Sequence, residues 1–292
     1  MSDNGARTPI VVGVRGDEVC SGELTFPVDW AAREAAARGV PLWLAHAFLS
    51  DGDEQAVEGD QGIAAHRAAR SLERTAARVA HHYPDLPVAL VARRGTPVAV
   101  LGDLATEAAL VVVGRHRGGR VAAAVLGAVT PGRLPSPSGP VVAVPARQPY
   151  VARDAAICVG VAERGPAVSA LDAAFQQASA HDMPIRLVRC VPERHEDGRY
   201  DEPVWAAVEP YRRAHPSVRV DVDVLVGEPS ELLVKESLTA GLLVLGPRPG
   251  WGRRLGRVGS VGRDVLGSAA CPVMLVRDAE PAMHARPLAA RR

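Results

Sequence analysis

Leu242–Gly262 reads LLVLGPRPGWGRRLGRVGSVG: a short apolar run, a loop dense in glycine and arginine, then Gly259-Ser260, where a helix can begin. A strand that is apolar at every position has both faces buried, as in parallel sheets covered by helices. Leu242–Leu245 fits that description. The loop after such a strand lies at the carboxyl edge of the sheet, where open α/β folds bind their ligands.

A second copy of the stretch stands earlier in the chain. Pro97 and Pro229, Gly114 and Gly246, Gly127 and Gly259, and Pro140 and Pro272 are each 132 positions apart. Upstream, Gly13 and Gly160 are 147 apart and Pro41 and Pro184 are 143 apart, so the loops differ in length while the order of landmarks is kept. A fixed offset of this kind marks an internal repeat.

Within the first copy the spacing predicts strands at Pro9–Val14, Leu42–Phe48, Val88–Ala92, Leu110–Val113 and Pro140–Val144. Helices are predicted over Trp30–Gly39, with Pro27 in its first turn and Gly39 as its cap, and over Ile63–His82, ended by Pro84 and Pro87. Further helices are expected over Pro97–Ala108 and around Val121–Val129, and the acidic Ser50–Gly62 is expected as an exposed loop. The series restarts at Ala155–Val161, and Leu171, Ala174, Phe175 and Ala178 give its first helix one apolar face. Strands alternating with helices require crossover connections, hence a parallel α/β sheet. The boundaries expected are 1–148 and 149–278 for two domains and 279–292 for a flexible tail.

The 292 residues are 47% hydrophobic, enough for substantial cores, and the net charge of +1 argues against a polyanion partner. Nucleic acid and membrane are therefore not expected partners. Apolar stretches such as Val121–Val129 fall short of the roughly 20 residues that span a bilayer. The opening MSDNGARTPI has no apolar signal region, so a cytoplasmic location is expected. Cys20, Cys158, Cys190 and Cys271 are scattered without metal-ligand spacing and read as small buried hydrophobes where they fall in strands.

The opening VVGV, the WAAREAAARG helix, Gly95-Thr96-Pro97 and Gly227-Glu228-Pro229, the VVVG and LVLG strands and the closing Pro140–Val144 and Pro272–Val276 together resemble the universal stress protein family of the UspA type, in tandem. The resemblance implies two Rossmann-like domains, each a five-stranded parallel sheet with helices on both faces. It also implies pairing through the fifth strands, here within one chain, with a homodimer of chains and a regulatory protein as further expected partners. Some members bind ATP through an Asp after the first strand and the pattern Gly-x2-Gly-x9-Gly-(Ser/Thr) after the fourth.

Glycines let the backbone approach a phosphate, and the N–H groups at a helix start hold it. In the second half Gly246, Gly259, Ser260 and the following Val261 keep the pattern, but Pro249 replaces its second glycine, fixing φ and removing an N–H. In the first half Gly114 and Gly127 fit, whereas Arg117 and Ala128, followed by Val129, depart from it. The acidic position after the first strand is Arg15 in one half and Ala162 in the other, with Asp17 and Glu163 as displaced candidates. Arg115, Arg117, Arg120, Arg253, Arg254 and Arg257 have two readings, phosphate contacts or a solvated loop face.

Two functions remain open on this reading: a nucleotide-dependent stress regulator with ATP in the second half, and an interaction module that works without a nucleotide. Catalysis is not expected. His116 and His195-Glu196-Asp197 have no nucleophile beside them in sequence, and the hydrolase, zincin and P-loop motifs are absent.

Overall fold

The computed structural model describes residues 8–15, 24–49, 58–115, 139–147, 152, 154–163, 165–193, 202–247 and 259–276. The first half contributes β1 (Ile10–Gly13), α1 (Phe26–Arg38), β2 (Leu42–Phe48), α2 (Glu58–His82), β3 (Val88–Arg94), α3 (Pro97–Leu104), β4 (Leu110–Arg115) and β5 (Val141–Pro145). The second contributes β6 (Ile157–Val161), α4 (Val168–His181), β7 (Ile185–Val191), α5 (Glu202–Ala214), β8 (Val220–Val226), α6 (Pro229–Glu236), β9 (Leu242–Leu245), α7 (Ser260–Ser268) and β10 (Val273–Leu275). The expected helix around Val121–Val129 and the expected tail lie outside the described residues.

The ten strands form one sheet in the order β3-β2-β1-β4-β5-β10-β9-β6-β7-β8. All described neighbours are parallel except β5 and β10, which join the halves antiparallel with Val142 opposite Met274. Alternation along the strands sends Ile10, Val12, Leu42, Leu44, Leu110 and Val112 into a core under α1, α2, α4 and α5. Their neighbours, such as Val11, Ala45, Val111 and Val113, enter a second core under α3, α6 and α7. Helices therefore cover both faces, and the inner strands can be apolar throughout.

Local chemistry sets most element ends. Pro27 stands in the first turn of α1, and Gly39 closes it at φ 62°, its N–H on the Ala36 carbonyl at 3.1 Å. Thr96 starts α3 by accepting the Ala99 N–H on Oγ1 at 3.2 Å, with Pro97 next. Gly95 and Gly227, before the third helix of each half, have φ 142° and 139°, which explains the glycine of both G-x-P stretches.

Several expected bounds need correction: α1 begins at Phe26 and not at Trp30, β3 runs on to Arg94, and β4 runs on to Arg115, a residue expected in the loop. Helix α2 begins at Glu58 and not at Ile63. The sequence of that first turn, from Glu58 to Gln61, is polar and has no apolar period to reveal a helix. Helix α3 stops at Leu104, followed by turns closed by the Thr106 N–H on the Asp103 carbonyl at 3.2 Å and the Glu107 N–H on the Leu104 carbonyl at 3.1 Å, so Ala105–Ala108 are not helical as expected.

Candidate functional site

In each half the first strand is central, with the second and third strands on one side and the fourth and fifth on the other. The connections wind in opposite directions from β1 and β4, and again from β6 and β9, and the crevice this leaves at the carboxyl ends of the parallel strands is where an α/β sheet takes a ligand. In the second half the crevice is edged by Ala162 and Glu163 after β6 and by Gly246 after β9.

Gly246 has a packing reason. A Cβ there would stand 2.7 Å from Ala167 Cβ and 3.2 Å from Ala170 Cβ, because the start of α4 lies directly on the end of β9. Gly114, its counterpart, is looser, with Pro27 Cγ at 3.4 Å. Gly259 is the N-cap of α7 at φ −62° and ψ 174°, an ordinary extended conformation, and no side chain among the described residues caps the helix. Ser260 is exposed as the first helical residue, so its hydroxyl is not the cap that a serine at a helix start often provides. Val261 is half-buried against the core under α3, α6 and α7.

Ala162 sits in a tight turn: Gly165, at φ 107°, donates its N–H to the Ala162 carbonyl at 2.9 Å. Glu163 is exposed on that turn, and its carbonyl accepts from Arg189 Nη2 at 2.9 Å. In the first half His46 Nδ1 donates to the Val14 carbonyl at 2.7 Å, which fixes its proton on Nδ1. His46 and Arg189 are 143 positions apart, so both halves tie the loop after the first strand to the second strand with an equivalent side chain. Reading for carboxylates and glycines missed both residues, although the repeat offset aligns them.

Arg115 belongs to neither reading offered for the loop arginines. It is 9% exposed, and its guanidinium donates to the carbonyls of Val265, Leu266 (3.0 Å) and Ala269 at the end of α7 in the other half. Burial lowers its pKa, opposed by the field of Cys271. A cation at a helix C-terminus meets carbonyls that have no partner within the helix, so Arg115 is a clamp between halves and not a phosphate ligand.

Pro249, Arg117, Gly127, Ala128 and Val129 lie outside the described residues, as do Asp17, His116, Arg120, His195–Asp197, Arg253, Arg254 and Arg257. Among the described residues no group of His, Cys, Asp and Glu could hold a metal ion, and no helix is long and apolar enough to cross a membrane. Cys158 and Cys271 are buried, and burial pushes the Cys271 thiol up to about 12 and the half-buried Cys190 thiol up to about 11. A cavity of about 210 Å³ beside Ser179, Asp182, Pro184 and Arg219 lies at the amino ends of β7 and β8, the edge opposite the crevice.

The residues present suit one end of a nucleotide better than the other. An uncapped helix start beyond a glycine offers N–H groups to an anion. At the sugar end, Ala162 supplies no carboxylate.

The universal stress protein family matches residues 7–145 and 155–277. A universal stress protein of Mycobacterium tuberculosis, Rv1996, is 26% identical, the alignment covering 95% of this chain and 97% of that protein. A universal stress protein of Mycolicibacterium smegmatis is 28% identical over 92% of this chain and 96% of its own. A solved universal stress protein from Archaeoglobus fulgidus shares the fold, with a TM-score of 0.65 at 14% identity, over 92% of this chain and 96% of that one. With two successive matches spanning both halves of one continuous sheet, the chain belongs to the universal stress protein family as a tandem of two such domains.

Proposed function

We propose that this tandem universal stress protein binds ATP at the crevice of its second half and acts as a cytoplasmic regulator in the stress response, without catalysis of its own. The observation that carries the reading is Gly246 at the end of β9, followed at the family's spacing by Gly259-Ser260 at the uncapped start of α7. There the helix N-terminus would hold phosphate oxygens, with Ser260 and Val261 beside it. The first half is the weaker candidate, because Arg115, the last residue of β4, is engaged in the contact between halves. We take residues 1–148 and 149–278 as the two domains and a regulatory protein as the partner that reads the bound state.

A second reading, a stress-response module that needs no nucleotide, is favoured by Gly246 itself, since helix packing alone demands a glycine there. Ala162 points the same way: losing a charged hydrogen bond of about 2–3 kcal/mol would weaken affinity roughly a hundredfold. Isothermal calorimetry separates the two. Heat on titration with ATP that is lost in Ser260→Trp supports nucleotide binding. No heat at millimolar ATP overturns it in favour of the second reading.

A further inference from the structure

The antiparallel junction is centred on a pair of equivalent residues. Val142 and Met274, which face each other between β5 and β10, are themselves 132 positions apart, so a pseudo-two-fold axis passes through their contact. In a two-fold interface a residue near the axis meets its own equivalent. Its identity is therefore counted twice when two copies of one half pair, and once when unlike halves pair.

Above the axis α1 packs on α4, and Glu34 meets its equivalent, Gln177, 143 positions on. Gln177 Nε2 donates to Glu34 Oε1 at 2.6 Å, and His181 Nε2 is 2.7 Å from Glu34 Oε2. Arg38, the equivalent of His181, completes the set by donating to Glu34 from within α1. Glu34 is 1% exposed, and Gln177 is buried too. On the other face of the sheet Arg115 clamps the end of α7, and its equivalent in the second half, Pro247, has no donor to return the contact.

We infer that the contact between the halves is keyed to an unlike partner: a first half takes a second half and not a second copy of itself. Pairing two first halves would set two buried Glu34 carboxylates against each other where a carboxylate now meets an amide. Pairing two second halves would leave no carboxylate for either His181 and no guanidinium for the carbonyls that end α7. One carboxylate and one amide is the arrangement in which the donors present share one acceptor group without like-charge repulsion. Specificity of this kind rests on the penalty built against the wrong pair as much as on contacts to the right one.

The test uses the whole chain. Gln177→Glu makes the axis acidic on both sides, as in a pair of first halves, and the exchange Glu34→Gln with Gln177→Glu restores one carboxylate and one amide with sides reversed. We expect the single variant to melt at least about 5 °C below the unsubstituted protein at pH 7.5, and the exchanged variant to recover more than half of that loss. Gln177→Glu failing to fold while the exchanged variant folds supports the inference equally. The inference is overturned if Gln177→Glu melts less than about 5 °C below the unsubstituted protein, if the exchange recovers less than half of the loss, or if both variants fail to fold.

Discussion

At Gly246 the structure separates two reasons for one residue. A glycine after the fourth strand reads naturally as a phosphate approach, yet its missing Cβ is what lets the first turn of α4 close on β9, with Ala167 Cβ 2.7 Å from where a side chain would begin. Neither alanine can move away without shifting the helix, so Gly246→Ala should destabilise the protein by about 1–3 kcal/mol through overpacking. Thermal unfolding without any nucleotide checks this, and an unchanged melting temperature would return the glycine to a purely ligand-based role. The landmark was legible from its 132-residue repeat, but its cause was not, because that depends on Ala167 and Ala170, which no local pattern links to β9. Arg115 is the sharper case. In sequence it is one more arginine of a basic loop, and only the antiparallel joining of the halves brings it to the end of α7.

Helices were legible where proline, glycine or threonine punctuates them, as at Pro27, Gly39, Thr96 and Pro97, since these residues fix φ or supply a cap without help from tertiary contacts. They were less legible where a polar first turn has no apolar stripe, as in α2. The two copies also end their first helices differently. Gly39 takes the left-handed position after α1, and at the equivalent place after α4 stands Asp182 at φ 52°. A residue with a Cβ is strained there, although aspartate tolerates it better than most. Asp182→Gly should therefore raise stability by about 0.5–1 kcal/mol, the relief exceeding glycine's added entropy in the unfolded chain. Chemical denaturation checks it through an upward shift of the midpoint at constant slope, and a downward shift would mean that the Asp182 side chain contributes more than its backbone strain costs.

For the whole molecule, the repeat revealed two parallel α/β units but not the register of their junction, since the apolar run Pro272–Val276 has no feature that selects one partner residue on β5 over the next. That register matters because it seats Glu34 between α1 and α4 on the axis. Burial raises the carboxyl pKa of Glu34, but hydrogen bonding to His181 and Gln177 and the charges of Arg38 and His181 outweigh it, leaving a pKa below the ordinary 4.5. A carboxyl whose folded pKa is depressed binds fewer protons folded than unfolded, so its contribution is present above the unfolded value and fades as pH falls through the folded one. Glu34→Gln keeps the shape and abolishes the charge. At pH 7 it should cost about 1–3 kcal/mol, the range for a charged hydrogen-bond acceptor among buried donors. As the pH is lowered from 4.5 the gap to the unsubstituted protein should narrow, because protonation then neutralises the wild-type carboxyl as well. Taking the difference between the two proteins cancels the many other carboxylates that titrate in the same range. Urea midpoints measured for both from pH 7 to pH 3.5 provide the check, and a gap that stays constant across that interval would mean that the cost comes from the amide's mismatched hydrogen bonding and not from the lost charge.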